Sequence, residues 1–321
     1  RPSSELLTRD LFDLWVINLF ERSGILHLSS IILMLKIVLK LIIFIYVGHF
    51  SSVWQGCLNK ATVAVKVFPA AHRRSFIKER EVFGLPLMEH PGLVHDLNLR
   101  KHVLFQECSN IVYMFALLSL CLFIHASVYF LHKPAITHGD LSSSNVLVRV
   151  DGTCTLCNFG CATVLRTCSG QPRLQKQREK TCQCISQVGT LCYTSPEILE
   201  GCVNLNNDLW LIQGDVYALG LLLWELWSRC SDLYAESPVP EHQLPYEAEL
   251  GPSPSLDDLI LFVSQRRERP TLPIPWRQFT QVLYHGRLYV FVEDCWDHEP
   301  EARLTAQCAA NRLAALPECY G

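Results

Sequence analysis

The stretch HGDLSSSNVLVRVDGTCTLCNFG, residues 138–160, decides how the chain folds. Two runs in it alternate along their length, NVLVRV at 145–150 and TCTLC at 153–157. Asp151 and Gly152 between them form a strong two-residue hairpin signal, because both tolerate the positive φ that the favoured turn needs. The hairpin sets Asn145, at the head of the first strand, near Asn158, just after the second. Asp140 stands five residues before Asn145. One acid and two amides are therefore expected to converge at the open end of a hairpin, where their oxygens can accept a proton or face a cation.

Working outward, the elements on either side supply what such a cluster lacks. ATVAVKVFP, 61–69, alternates as a strand and puts Lys66 on one face. SFIKEREVF, 75–83, is helical in pattern and offers Glu79 as a partner that would hold the ammonium against phosphate oxygens. Upstream, IYVGHFSSVWQG, 45–56, turns at Gly48 and returns through Val53, as a phosphate-covering loop does. Tyr46 and Ser51 stand where such a loop usually carries further glycines. Downstream lie VGTLCYTSPEILEG with Glu197, GDVYALGLLLWELW with Asp215, and EDCWDHEPEARLTA with Arg303. Arg303 is suited to a buried bidentate pair with Glu197. Asp215 opens an apolar helix and can cap either that helix or the backbone of the 138–145 loop.

Composition narrows the partners. A formal net charge of −3 leaves no basic stripe to neutralise a nucleic-acid backbone. Half the chain is hydrophobic (49% of 321 residues), enough for a substantial core. The 15 cysteines are scattered without paired spacing in a long chain and read as reduced, mostly buried thiols. Cys154, Cys157 and Cys161 have no second CxxC at zinc-finger distance. The start at RPSSELL, without Met or signal-peptide pattern, reads as that of a fragment.

In this order, the motifs resemble the protein kinase family over residues 42–317. EREVFGLPLMEHPGLV, HGDLSSSNVLV, VGTLCYTSPEILEG and VEDCWDHEPEARLTAQC are similar, more narrowly, to the type II receptor serine/threonine kinases of the TGF-β superfamily. The resemblance implies an α+β, bilobal fold with a small antiparallel β lobe carrying one helix (42–108), a mainly helical large lobe (109–317) and a short tail (318–321). It also implies ATP as phosphate donor, with Mg2+ or alternatively Mn2+, and transfer to Ser or Thr of a type I receptor kinase. A hormone would bind through an ectodomain outside this sequence, and the receptor would cross the plasma membrane once with the kinase region in the cytoplasm. Carried onto this chain, Asp140, Lys66 and Asn145 take the catalytic positions, and Gly48, Val53, Lys66 and Glu79 the ATP site. Asn145 and Asn158 take the metal positions, and Glu197, Asp215 and Arg303 the structural ones.

Departures from the family pattern fall on the chemistry. Asn158 occupies the position of the metal-binding Asp of D-F-G, removing a negative charge where a hard cation must sit. Gly139 replaces the Arg of H-R-D, so a phosphorylated activation loop has no cation there to pair with. Ser142 and Ser144 leave the loop without a basic residue after the acid. Three readings follow: a working receptor kinase, a catalytically impaired module that acts by binding or competing for partner receptors, or a truncated duplicate whose product folds poorly.

Chain length adds a further anomaly. Residues 94–137 number 44, whereas the two strands, two helices and connections of a kinase at this point need roughly 60. The segment expected to be missing is the hinge, which in kinases hydrogen-bonds adenine, together with the helix after it. Within an N-terminal segment, 1–41, begins the apolar run 25–47, long enough to span a bilayer but carrying Lys36 and Lys40. It reads either as a transmembrane helix or as a soluble helix entering the first strand. A second apolar run, 111–131, reads as a helix buried on all sides with His125 as a core residue, since a span there would separate Lys66 from Asp140.

Overall fold

The structure, a computed structural model, describes residues 14–21, 24–28, 39–47, 50–58, 61–85, 99–100, 125, 134–149, 154–165, 190–202, 209–229, 234, 238–273 and 283–314. Its small lobe is a five-stranded antiparallel sheet. In chain order the strands are β1 (Leu14–Glu21), β2 (Gly24–Leu28), β3 (Leu39–Val47), β4 (Ser52–Leu58) and β5 (Ala61–Pro69). In space the order is β2-β1-β5-β4-β3. Lys66 on β5 thus has Val53 of β4 opposite it on one side and Asn18 of β1 on the other.

The strands correct the reading of 25–47 as a helix. Gly24–Leu28 and Leu39–Val47 are extended and paired, and residues 29–38 lie outside the described ones. The physical reason lies in LKLIIFIYV itself, where β-branched and aromatic residues dominate. Pairing with β4, from Leu39↔Leu58 to Val47↔Ser52, gives its backbone a partner in the sheet.

Helix α1 (Arg73–Phe83) follows β5 and buries Phe76, Glu79 and Val82, spaced three apart on one face. Phe76 meets Phe68 of β5 edge to face at 5.7 Å. Beyond the short strand β6 (Leu99–Arg100), β7 (Ala135–Thr137) leads into the 138–145 loop. The hairpin β8 (Val146–Arg149) and β9 (Cys154–Leu156) then pairs Val146 with Leu156 and Val148 with Cys154, and β10 (Thr163–Leu165) returns against β7. Residues 150–153, with the expected turn, lie outside the described ones.

Among the described residues the remaining α-helices are α2 (Pro196–Leu199), α3 (Leu209–Trp227), α4 (Glu247–Leu250), α5 (Leu256–Leu259), which runs on into a π-helical turn (Ile260–Gln265), α6 (Leu283–Cys295) and α7 (Ala306–Ala314). Helix α3 is their axis: Val216, Tyr217, Leu219 and Leu221–Leu223 are buried, so it is apolar on every side, as a helix enclosed by other elements must be. It is the one described helix long and apolar enough to cross a membrane, and 78% of its apolar window is buried inside the lobe. Of the run 111–131 only His125 is described; it is helical and buried. The α+β, two-lobed architecture is that of a protein kinase fold.

Candidate active site

The site forms where the open end of the β8–β9 hairpin faces β5 and α1. Lys66 and Glu79 are both almost fully buried, 4% and 1% exposed. The ammonium donates to Glu79 Oε1 at 2.8 Å and Oε2 at 2.6 Å, and its third hydrogen goes to Asn158 Oδ1 at 2.8 Å. All three donors of the lysine are used. Glu79 reaches it because the apolar spacing of α1 turns the same face inward that carries Phe76 and Val82.

From Asn158 the network continues. Its Nδ2 donates to Asn145 Oδ1 at 2.6 Å, and Asn145 Nδ2 donates to Asp140 Oδ2 at 2.9 Å and to the Asp140 carbonyl at 2.7 Å. Asp140 Oδ1 accepts the backbone N–H of Thr190 at 3.1 Å. Lys66, Glu79, Asn158, Asn145 and Asp140 therefore form one continuous chain of hydrogen bonds. The backbone supports it, since the Cys157 N–H donates to the Asn145 carbonyl at 2.9 Å and His138 Nε2 lies 2.9 Å from the Cys157 carbonyl. Asn158 itself is left-handed, φ 66° and ψ 58°, a conformation that Asn adopts more readily than most residues.

The loop is anchored from below by Asp215. Its Oδ2 accepts the His138 N–H at 2.6 Å and Oδ1 the Gly139 N–H at 2.9 Å, while His125 Nε2 sits 3.1 Å from Oδ2. Asp215 does not open its helix as the sequence reading expects; α3 begins at Leu209 because WLIQ upstream continues the apolar run. Of the two caps open to it, the one present is the 138–139 backbone. Gly139 has φ +73°, and a Cβ there would lie 2.9 Å from the Cys161 carbonyl oxygen. The position requires glycine in this chain whatever charge it has lost.

Farther off, Arg303 meets Glu197 through two parallel bonds of 2.8 and 2.7 Å, and its guanidinium lies 5.0 Å from the Tyr217 ring centre. A planar fork bonded twice and stacked once has a single orientation. Val53 lies in β4 opposite Lys66, and Gly48 falls outside the described residues.

Several contributors escape sequence reasoning. Phe159 is fully buried and stacks edge to face on His138 (4.9 Å) and on Phe83 of α1 (5.4 Å), tying the hairpin to the helix that carries Glu79. Tyr193 donates to Glu225 and lies 3.0 Å from Ser143, so it joins the 190–195 segment to the site loop. Burial, reinforced by the Glu225 carboxylate, raises the Tyr193 phenol well above its usual pKa. The one signal for Glu225 was a lone charge inside LLLWELW.

The donors do not suit a hard divalent cation. Asp140 is the one carboxylate among Asp140, Asn145 and Asn158, and both amide oxygens already accept hydrogen bonds from within the chain. Among the described residues no group of three or more His, Cys, Asp or Glu gathers to hold a metal. Magnesium is usually held through one or two carboxylates together with waters and nucleotide phosphates, and these side chains offer it Asp140 as their one carboxylate, so they do not form its site unaided.

The protein kinase domain family model matches residues 44–313, which include every element of this network. The chain belongs to the protein kinase family. This kinase is 36% identical over 302 residues to the Anti-Muellerian hormone type-2 receptor of Homo sapiens, covering 84% of this chain and 52% of that protein. To the rat receptor of the same name it is 37% identical over 304 residues (84% and 53%). To the human Activin receptor type-2A it is 34% identical over 298 residues (84% and 55%). These relatives agree with the resemblance to type II receptor kinases drawn from the motifs. The chain spans about half the length of the curated relatives it matches. Protein kinases in general use ATP with a divalent metal.

Proposed function

We propose that this chain is the kinase region of a TGF-β-superfamily type II receptor that binds ATP and transfers its γ-phosphate to Ser or Thr of a type I receptor. The observation that carries this reading is the unbroken path from the Lys66–Glu79 pair through Asn158 and Asn145 to Asp140. In it Glu79 holds Lys66, whose hydrogen bond to Asn158 gives way to phosphate oxygens when the nucleotide binds, Gly48 and Val53 belong to the covering loop and strand, and Asp140 accepts the proton of the attacking hydroxyl. Asn145 fixes the Asp140 carboxylate through its amide. General-base assistance of this kind is worth about 10² to 10⁴ in rate. Mg2+ or Mn2+ would enter as the counter-ion of the nucleotide phosphates.

In this reading the small lobe runs from 42 to 108, the large lobe from 109 to 317 and a tail from 318 to 321, with 1–41 preceding the lobes. The whole receptor would pass the plasma membrane once, keep this region in the cytoplasm, bind its hormone outside the cell and recruit a type I receptor inside. A second reading has its own support. Asn158 contributes an amide where a carboxylate is needed, and that amide is already engaged, which favours a module that binds or competes for partner receptors with little transfer.

The deciding experiment mixes the purified chain, Mg-ATP and a type I receptor kinase domain. Phosphate incorporation above that of an Asp140→Asn control supports transfer. Incorporation equal to the control, with the two proteins still associating, leaves the partner-binding module.

A further inference from the structure

The two ends of the site network fix the sense of everything between them. Lys66 carries N–H donors and no acceptor, so the atom of Asn158 that faces it at 2.8 Å is the amide oxygen. The Asn158 amide nitrogen is thereby turned to Asn145, 2.6 Å from Oδ1. At the far end the Asp140 carboxylate only accepts, so the nitrogen of Asn145 faces it, 2.9 Å from Oδ2. Flipping either amide would set donor against donor at one side of it and acceptor against acceptor at the other.

We infer that the site binds the phosphates of its nucleotide through Lys66 and the Asn158 amide without help from a divalent ion, so that metal-free ATP is as good a ligand as Mg-ATP. The inference rests on the nucleotide-binding reading above and deepens it by naming the ionic form of the ligand. A metal ion that accompanies the phosphates then adds nothing to the protein's hold on them.

Charge carries the first half, because it is met inside the network. The Lys66 ammonium lies against both oxygens of Glu79, at 2.8 and 2.6 Å, and the pair cancels. The negative charge of Asp140 is met by donors, Asn145 Nδ2 on Oδ2 and the Thr190 N–H on Oδ1 at 3.1 Å. Asn145 and Asn158 are neutral. The oxygen of Asn158 is 2.8 Å from an ammonium, so a divalent cation on that oxygen would stand beside a like charge with no carboxylate at 158 to offset it. An aspartate there would reverse the balance, since its charge would repel the phosphates unless a cation lay between them.

Donors carry the second half. Opening the Lys66–Asn158 bond turns one ammonium hydrogen to a phosphate oxygen while Glu79 keeps its two bonds to the lysine. Asn158 Nδ2 has two hydrogens; one goes to Asn145, and the other meets no partner among the described residues. Asn158 is half-buried, whereas Lys66, Asn145 and Asp140 are buried, so it is the member of the network most open to a ligand. A carboxylate at 158 would have no hydrogen to offer. The exchange that removes a ligand of the metal therefore supplies a donor to the phosphates.

The test titrates ATP into the intact chain by isothermal calorimetry at fixed ionic strength, once in EDTA and once in excess Mg2+. The expected Kd in EDTA is no more than about threefold above that in Mg2+, whereas Asn158→Asp should bind at least about tenfold more tightly in Mg2+ than in EDTA. A parent Kd that rises beyond that margin in EDTA overturns the inference and leaves the nucleotide-binding reading standing. Asn158→Asp that is equally indifferent to the metal overturns the role given to Asn158. Binding unchanged in Lys66→Met/Glu79→Leu, which leaves neither charge of the pair buried alone, overturns the role of Lys66 and the inference with it. No heat and no rise in Tm with ATP in either buffer overturns the nucleotide reading itself.

Discussion

Replacing Asn158 by aspartate tests whether the loss of one charge is the whole difference between this site and a working one. In the free protein the exchange is close to neutral. It removes the 2.6 Å bond from Asn158 Nδ2 to Asn145 Oδ1, worth about 1 kcal/mol, because a carboxylate has no hydrogen to donate. It strengthens the 2.8 Å contact with Lys66, since hydrogen bonds to charged groups contribute roughly 1.5–3 kcal/mol, although Glu79 already shares that ammonium. The left-handed backbone at 158 is as accessible to Asp as to Asn, so no strain is added. With Mg-ATP the balance changes, because the ion gains a carboxylate ligand. A tenfold gain in affinity is about 1.4 kcal/mol, and each kcal/mol moves Tm by about 2–4 °C in a domain of this size. The nucleotide-induced rise in Tm should therefore be about 3–6 °C larger in Asn158→Asp than in the parent. The assay is differential scanning fluorimetry with ATP, with and without excess Mg2+, and EDTA as control. An equal rise in both proteins, or an excess that survives EDTA, would refute the argument that Asn158 is the metal defect.

Other perturbations probe the rest of the network. Lys66→Met leaves Glu79 as a buried charge without its partner and should cost about 3–5 kcal/mol in urea unfolding, with Lys66→Met/Glu79→Leu recovering much of the loss. Gly139→Ala should cost more than about 1 kcal/mol by the same measurement, because it combines φ +73° with a Cβ 2.9 Å from the Cys161 carbonyl. Gly139→Arg should therefore destabilise the loop rather than restore a phosphate sensor. The Cys192 thiol is raised to about 12, by burial first and by Glu225 second, whereas Cys202 is exposed. At pH 8 iodoacetamide should modify Cys202 in the native protein while Cys192 stays protonated and unreacted until the chain unfolds; peptide mapping reads both sites.

Local pattern was enough for the hairpin and for what it brings together. NVLVRV and TCTLC alternate on either side of Asp151-Gly152 and their strands pair, so Asn145 and Asn158 had to lie side by side, and they are 2.6 Å apart between side-chain atoms. Lys66 with Glu79, and Arg303 with Glu197, were legible as well, because a buried charge has few ways to be satisfied other than by an opposite one. The stacking of Phe159 between His138 and Phe83 was not, since an aromatic in a loop carries no sign of which rings it will meet.

Sequence alone, then, determined the family frame and the identity of the charges present and lost, since period, turn chemistry and residue type act over a few neighbouring positions. Tertiary structure decided three matters that depend on distant partners. It turned Asp215 from a candidate cap of its own helix into the anchor of the 138–139 backbone. It made Gly139 a conformational requirement as well as a missing charge. And it drew Leu14–Glu21, Gly24–Leu28 and Leu39–Val47, apolar enough in part to read as a membrane helix, into a sheet beside Lys66. A strand's backbone is satisfied only by another strand, and which segment fills that place depends on the vacancy in the sheet, which no local window of sequence contains.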